Sequence, residues 1–139
     1  MNWRASILCS AVLTVAFGAA VAGDSDAAWQ KKLVGTWGET SSRSRGCELH
    51  RRVMVLAKDG TFDAQTSVRG CAQRSYDWQG KWKVVGGMFQ YSANASSSTK
   101  DVPTAVLMQE QILSVTDAEW ASIPQDTGIR SVSRRGRAP

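Results

Sequence analysis

The sequence predicts an all-β protein: an up-and-down antiparallel barrel of about eight strands, following an export signal. Three observations carry this. Beyond residue 33 no segment keeps a 3.6-residue apolar period for long; short alternating segments are separated by turn residues instead. In the clearest of these segments, Tyr76, Trp78, Gly80, Trp82 and Val84 alternate with Asp77, Gln79, Lys81 and Lys83, so one face must be covered and the other wetted. With no core-sized helix to cover that face, the sheet must cover itself. Closure into a barrel does so and removes exposed edges, with an open two-sheet sandwich as the alternative.

The first segment reads as an address. Arg4 gives a positive start, residues 7–19 are largely apolar, and Ala20-Val21-Ala22 has the small-x-small pattern of a signal-peptidase site. A signal peptide over 1–22 is expected, leaving one domain over 23–139, secreted or periplasmic. The apolar run is shorter than the ~20 residues of a spanning helix. Of three cysteines, Cys9 leaves with the signal, and Cys47 and Cys71 remain as a disulfide expected in an oxidising compartment. The chain carries a net charge of +5, and losing Arg4 lowers it by one. Such a balance suits an acidic partner and suits plain solubility equally.

Residues 27–33 could form a helical turn or two. Strands are then expected near 34–40, 48–57, 61–69, 76–85, 88–93, 105–114, 119–123 and 129–134. Turns fall at Lys58-Asp59-Gly60, Gly86-Gly87, Thr116-Asp117 and Asp126-Thr127-Gly128, and 92–101 forms a long polar loop. The first of these turns sets a register. A three-residue loop closing on Gly60 pairs Ala57 with Thr61, so paired residue numbers sum to 118, and Cys47 and Cys71 obey the same sum. Turn and disulfide support one hairpin independently, and the bond should stabilise it by roughly 3 kcal/mol. In that register His50, Arg52, Met54, Leu56, Phe62, Ala64, Thr66 and Val68 share a face.

Gly35-Thr36-Trp37, following a short amphipathic turn, resembles the Gly-x-Trp signature of the lipocalins. Together with Lys58-Asp59-Gly60-Thr61-Phe62 and Gly80-Lys81-Trp82 it is similar to the small bacterial lipocalin-like domains. Thr116-Asp117 stands where lipocalins carry Thr-Asp-aromatic, although Ala118 replaces the aromatic and no room remains for the usual C-terminal helix. The resemblance implies that Trp37 plugs one end of the barrel beneath an arginine of the last strand, Arg130 or else Arg134, and that Gly35 leaves room for the ring. A second outline is similar: secreted metalloprotease-inhibitor barrels open on Leu-x-Gly-x-Trp, as in Leu33-Val34-Gly35-Thr36-Trp37, and carry one disulfide. There the segment before the first strand enters the protease. Here that segment is 23–30, with Asp24 and Asp26.

Chemistry has little support. His50 is the single histidine, no nucleophile signature accompanies it, and no His or Cys spacing suggests a metal. No cofactor, nucleic acid or catalytic residue is expected, and the chain is expected to be a monomer that does not span a membrane. If the face of His50 and Arg52 is interior, it suits a small apolar or amphipathic anionic ligand. Arg52 would take a carboxylate, and Phe62, Trp78 and Trp82 would contact the apolar part. The plainer reading has Arg52 solvated at the rim or paired with Glu48 or Glu110. The alternative function is a protein-binding module or protease inhibitor with a filled barrel. Its working surfaces would be the arm before Val34 and the loops 41–46 and 92–101. Asn94-Ala95-Ser96 is a formal glycosylation sequon.

Overall fold

The computed structural model describes residues 25–42, 47–71 and 73–136; the expected signal peptide, residues 23 and 24, and residues 43–46 of one candidate loop lie outside them. Helix α1 (Asp26–Leu33) precedes eight strands: β1 (Gly35–Ser42), β2 (Glu48–Leu56), β3 (Thr61–Gly70), β4 (Arg74–Val85), β5 (Met88–Ser96), β6 (Met108–Val115), β7 (Glu119–Pro124) and β8 (Ser131–Arg135). Each strand pairs antiparallel with the next, and β8 returns to β1, closing the barrel in chain order.

The expected hairpin register is observed. Pairs run from Leu56↔Phe62 to Glu48↔Gly70, every one summing to 118. Ala57 N–H donates to Thr61 O at 2.9 Å. At the far end the Cys47–Cys71 disulfide spans Cα atoms 5.5 Å apart. β4 alternates as read, with Tyr76, Trp78, Gly80, Trp82 and Val84 inside. At Gly80 the ladder to β5 shifts by one residue, and a Cβ there would lie 1.9 Å from Ser92 O, so only glycine permits this approach.

Strand boundaries agree with the sequence reading to within two residues except at two places, where they differ by three. β5 continues to Ser96 because the shift at Gly80 carries pairing on to Trp78↔Ser96. The polar loop therefore starts later and runs to residue 107, delaying β6 to Met108. Within it, Val102 N–H and Asp101 N–H both donate to Ser98 O, and Ala105 takes φ +61°.

The two ends of the barrel are unlike. One carries the β2–β3, β4–β5 and β6–β7 turns and is capped by α1. Ser25 caps the helix N-terminus, the Asp26 carboxylate accepts from Gly86 and Gly87 N–H (2.7 and 3.0 Å), and Gln30 Oε1 accepts from Val84 N–H. From Asp26 onward, then, the segment before β1 is a helix, as read from residues 27–33, and it is docked on the barrel. Its last residue, Leu33, is fully buried.

Trp37 fills the barrel just inside this cap, donating through Nε1 to Leu33 O (2.6 Å) and standing edge-on to Trp120 at 6.0 Å. The cation over it is Arg135, its guanidinium carbon 4.3 Å from the ring centroid. Arg130 and Arg134 are corrected on this point, for a reason of register. Trp37 faces Arg135 across the β1–β8 ladder. Arg130, five residues back, lies about 17 Å towards the other end at the rise of an extended strand. Arg134 points outward to Glu119. Arg135 is held by the carbonyl oxygens of Val34, Lys32 and Asp117, which tie α1, β1 and the Thr116-Asp117 turn to one side chain. Gly35 serves the same group. Its φ is +136°, and a Cβ there would stand 2.4 Å from Arg135 Nη1, so the space it leaves belongs to the guanidinium and not to the Trp37 ring.

Replacing Trp37 by Ala should cost about 3–5 kcal/mol as a buried aromatic truncation. Arg135→Met should also lower the urea midpoint clearly, by losing the cation–π contact and three carbonyl tethers. Arg130→Met should stay within about 0.5 kcal/mol, as exposed substitutions do. Equal midpoints for the two arginine variants would refute the assignment.

Candidate ligand site at the open end of the barrel

The opposite end carries the β1–β2, β3–β4, β5–β6 and β7–β8 connections. Between it and the tryptophan plug the interior changes character. The closed half is solid: Phe89 packs on Trp82, Tyr91 and Trp120 at 4.7–5.9 Å, and Phe62 stands edge-on to Trp78 at 5.1 Å. Above this floor lies a cavity of about 140 Å³, lined by Glu39, Ser41, His50, Arg52, Thr66, Tyr76, Trp78, Tyr91, Asp101, Val102 and Met108.

A buried ionic network forms one wall. Alternation brings Glu39 of β1, Arg52 of β2, Tyr91 of β5 and Glu110 of β6 to the interior. Arg52 Nη2 donates to Glu39 Oε2 at 2.5 Å and to Glu110 Oε1 at 3.2 Å, while Nη1 donates to Tyr91 Oη at 3.2 Å. Tyr91 Oη passes the chain on, donating to Glu110 Oε1 at 3.0 Å. Ser122 of β7 donates to the other Glu110 oxygen at 2.6 Å, and Ser131 of β8 donates to Glu39 Oε1. Burial works against the charge on Arg52, yet the Glu39 and Glu110 carboxylates outweigh it and hold the guanidinium well above its ordinary range. Burial, then the charge of Glu110, pushes the Tyr91 phenol well up, so it remains a neutral donor.

The sequence-derived site residues divide accordingly. His50, Arg52 and Trp78 line the cavity, and Trp78 Nε1 donates to Thr66 Oγ1 at 3.1 Å. Phe62 lies beneath, against Trp78 and Tyr91. Trp82 is remote: its Nε1 donates to Ala57 O and Thr61 O beside the β2–β3 turn at the closed end. Arg52 is largely buried, not solvated at the rim, and is held by Glu39 and Glu110. Of the two plain partners considered for it, Glu110 is correct. Glu48 instead pairs with His50 and Arg74. Glu39, Thr66, Tyr76 and Tyr91 were missed. A usable signal was present, because Glu39 shares a face with Trp37, and Tyr91 with Phe89 and Ala93.

The mouth is latched. Arg74 binds Glu48 Oε1 at 3.1 Å and Asp101 Oδ1 at 3.0–3.1 Å, and Ser98 Oγ donates to Asp101 Oδ2 at 2.7 Å. This holds the β5–β6 connection across the opening with Val102 buried beneath it. Among the described residues no group of three or more His, Cys, Asp or Glu is placed to hold a metal ion, and no helix is long and apolar enough to cross a membrane.

Two predictions follow from the charges. Arg52→Met leaves two carboxylates in the interior without their cation and should cost about 3–5 kcal/mol. Adding Glu39→Gln and Glu110→Gln to it should recover most of that loss in a denaturation series, and no recovery would mean the side chains do not act as one network. At the mouth, Glu48 lies below its ordinary range because it accepts from Arg74 and then His50. Asp101 lies below its own through Ser98 and then Arg74. Folded values below unfolded ones stabilise above the unfolded carboxylate range, and that contribution is lost as pH falls through the folded values. Amide exchange in residues 97–107 should therefore quicken below about pH 4 relative to the β2–β3 ladder. A uniform change would refute the latch.

No protein-family model matches the sequence, and no curated protein matches it as a relative. The fold is thus described by its own geometry: an all-β, eight-stranded, closed antiparallel barrel, of the architecture that lipocalin-like proteins share.

Proposed function

We propose that the chain is an exported, non-enzymatic binding protein, a lipocalin-like barrel that holds one small ligand at its open end. The cavity of about 140 Å³ above the Phe62–Trp78–Tyr91 floor carries this reading. Eight strands enclose an interior just wide enough for side chains or one small ligand. This volume compares with a cavity that admits benzene, and falls below the ~300 Å³ at which sites for drug-sized ligands begin. The ligand is accordingly compact. A long-chain fatty acid does not suit it, and an anionic head would have to displace Glu39 or Glu110 from Arg52. Hydroxyl and carboxylate groups on the wall favour a small molecule with an aromatic or apolar body and hydrogen-bonding substituents. The Cys47–Cys71 disulfide supports export.

The second reading, a secreted protease inhibitor or other protein-binding module, is favoured by the solid closed half. Its inhibitory arm, however, would have to come from before Asp26, since α1 is docked. Native mass spectrometry of the mature protein, purified gently from the compartment it is exported to, tests the first reading. A non-covalent adduct that organic extraction removes is expected. Trp78→Phe should then abolish ligand-dependent quenching of fluorescence on rebinding. A bare mass together with fluorescence that no extract alters would leave the barrel filled and the protein-binding reading in force.

A further inference from the structure

The β1–β8 seam is closed as far as Glu39↔Ser133. Beyond it the chain between β7 and β8 runs through a turn in which Gly128 N–H donates to Pro124 O at 2.8 Å, with Gly128 at φ +65°. Between this turn and the outer end of β1 lies a cleft of about 470 Å³, against about 140 Å³ for the interior cavity. Its size falls within the ~300–1,000 Å³ of sites that take small organic molecules.

The charged groups lining this cleft are not alike. Glu39 is held by Arg52 and Ser131, and Asp126 is engaged as well. Among the described residues the guanidinium of Arg130 has no hydrogen-bond or ion-pair partner. Those of Arg52, Arg74 and Arg135 are each held by oxygen atoms on both sides of a cleft or seam. The cleft therefore carries one unmatched positive charge. Beside it Ile129 is 64% exposed, the most open of the large apolar side chains, and Pro124 and Val132 line the same space. Thr127 Oγ1 accepts from Ile129 N–H at 3.3 Å, so its own O–H remains a donor, and Ser41 adds a second hydroxyl on the β1 side.

We propose that this cleft is a second binding site, for a small organic monocarboxylate whose head meets Arg130 and whose apolar body rests on Ile129, Pro124 and Val132. A guanidinium takes a carboxylate through two parallel charge-assisted hydrogen bonds. An exposed ion pair alone is worth little, so the apolar wall must supply much of the affinity, and a bare inorganic anion does not suit. One unmatched cation neutralises a monoanion. A phosphate monoester would keep a negative charge in the same cleft as Glu39 and Asp126. The site is independent of the interior cavity, where Arg52 is already held by carboxylates.

Titration of the full mature chain with benzoate, followed by amide chemical shifts, tests this. Saturable shifts are expected in residues 125–132 and at Ser41. Benzamide, the same body without the charge, should bind at least tenfold more weakly, and phenyl phosphate no more tightly than benzoate. Arg130→Gln should weaken benzoate about tenfold at an unchanged urea midpoint, while Arg130→Lys should keep part of the affinity. Ile129→Ser should weaken it severalfold, again without moving the midpoint. Equal affinity for benzamide, affinity indifferent to Arg130→Gln, or no saturable shift would each overturn the proposal. So would shifts centred on Thr66, Trp78 and Val102, because benzoate would then occupy the interior cavity. Tighter binding of phenyl phosphate would overturn the monocarboxylate class. An extractable adduct in the cavity, present or absent, changes none of these outcomes.

Discussion

The ion pair of Arg52 with Glu39 and Glu110 is the constraint around which the rest of this barrel is arranged. Through Tyr91, Ser122 and Ser131 it joins β1, β2, β5, β6, β7 and β8, six of the eight strands, by side chains that meet across the interior and not along the wall. Burying three charges is expensive, and well-packed apolar residues would serve stability at least as well. What the network supplies is placement. A guanidinium bridged by two carboxylates fixes how far apart β1, β2 and β6 stand at mid-barrel, and it stops the aromatic packing from rising further. The small polar cavity exists above that level because the network does not collapse into it.

The closed end is organised by a different cation. Arg135 spends its donors on three carbonyl oxygens from separate segments, and Trp37 takes the open face of its guanidinium. Neither contact would be strong at the surface. The Asp26 carboxylate fixes α1 to the β4–β5 turn and Trp37 is buried beneath it, while the bonds of Arg135 to Lys32 and Asp117 lie at the surface. The barrel is therefore tied at one end by a cation over an aromatic ring, and at its middle by a cation between carboxylates. The other end, with its latched β5–β6 connection, is left to differ.

How much of this was legible in the sequence depended on whether the signal was local. The β2–β3 register, the disulfide and the two faces of β4 were, because a turn, two cysteines and a two-residue alternation all lie within 40 residues or so of one another. The fold class came with them, since a sheet of this length without helices has few ways to cover itself. The partner of Trp37 was not legible to the residue. Arg130, Arg134 and Arg135 look alike until the β1–β8 ladder fixes which is opposite, and that ladder joins segments almost a chain length apart. The site was half legible for the same reason. Arg52 could be placed inside by its hairpin, but its neutralisation by Glu39 and Glu110 needs the closure of the whole barrel. Trp82 shares Trp78's face, and nothing local says that four residues along a tilted strand carry it out of the cavity and into the closed half.

The seam that closes the barrel meets the same network. Ser131 is the first residue of β8, and its hydroxyl donates to Glu39, the last residue of β1 in the β1–β8 ladder. One carboxylate thus faces Arg52 with one oxygen and the end of the wall with the other. The interior ion pair is therefore tied to the seam that closes the barrel, and Glu39 is the side chain that ties it.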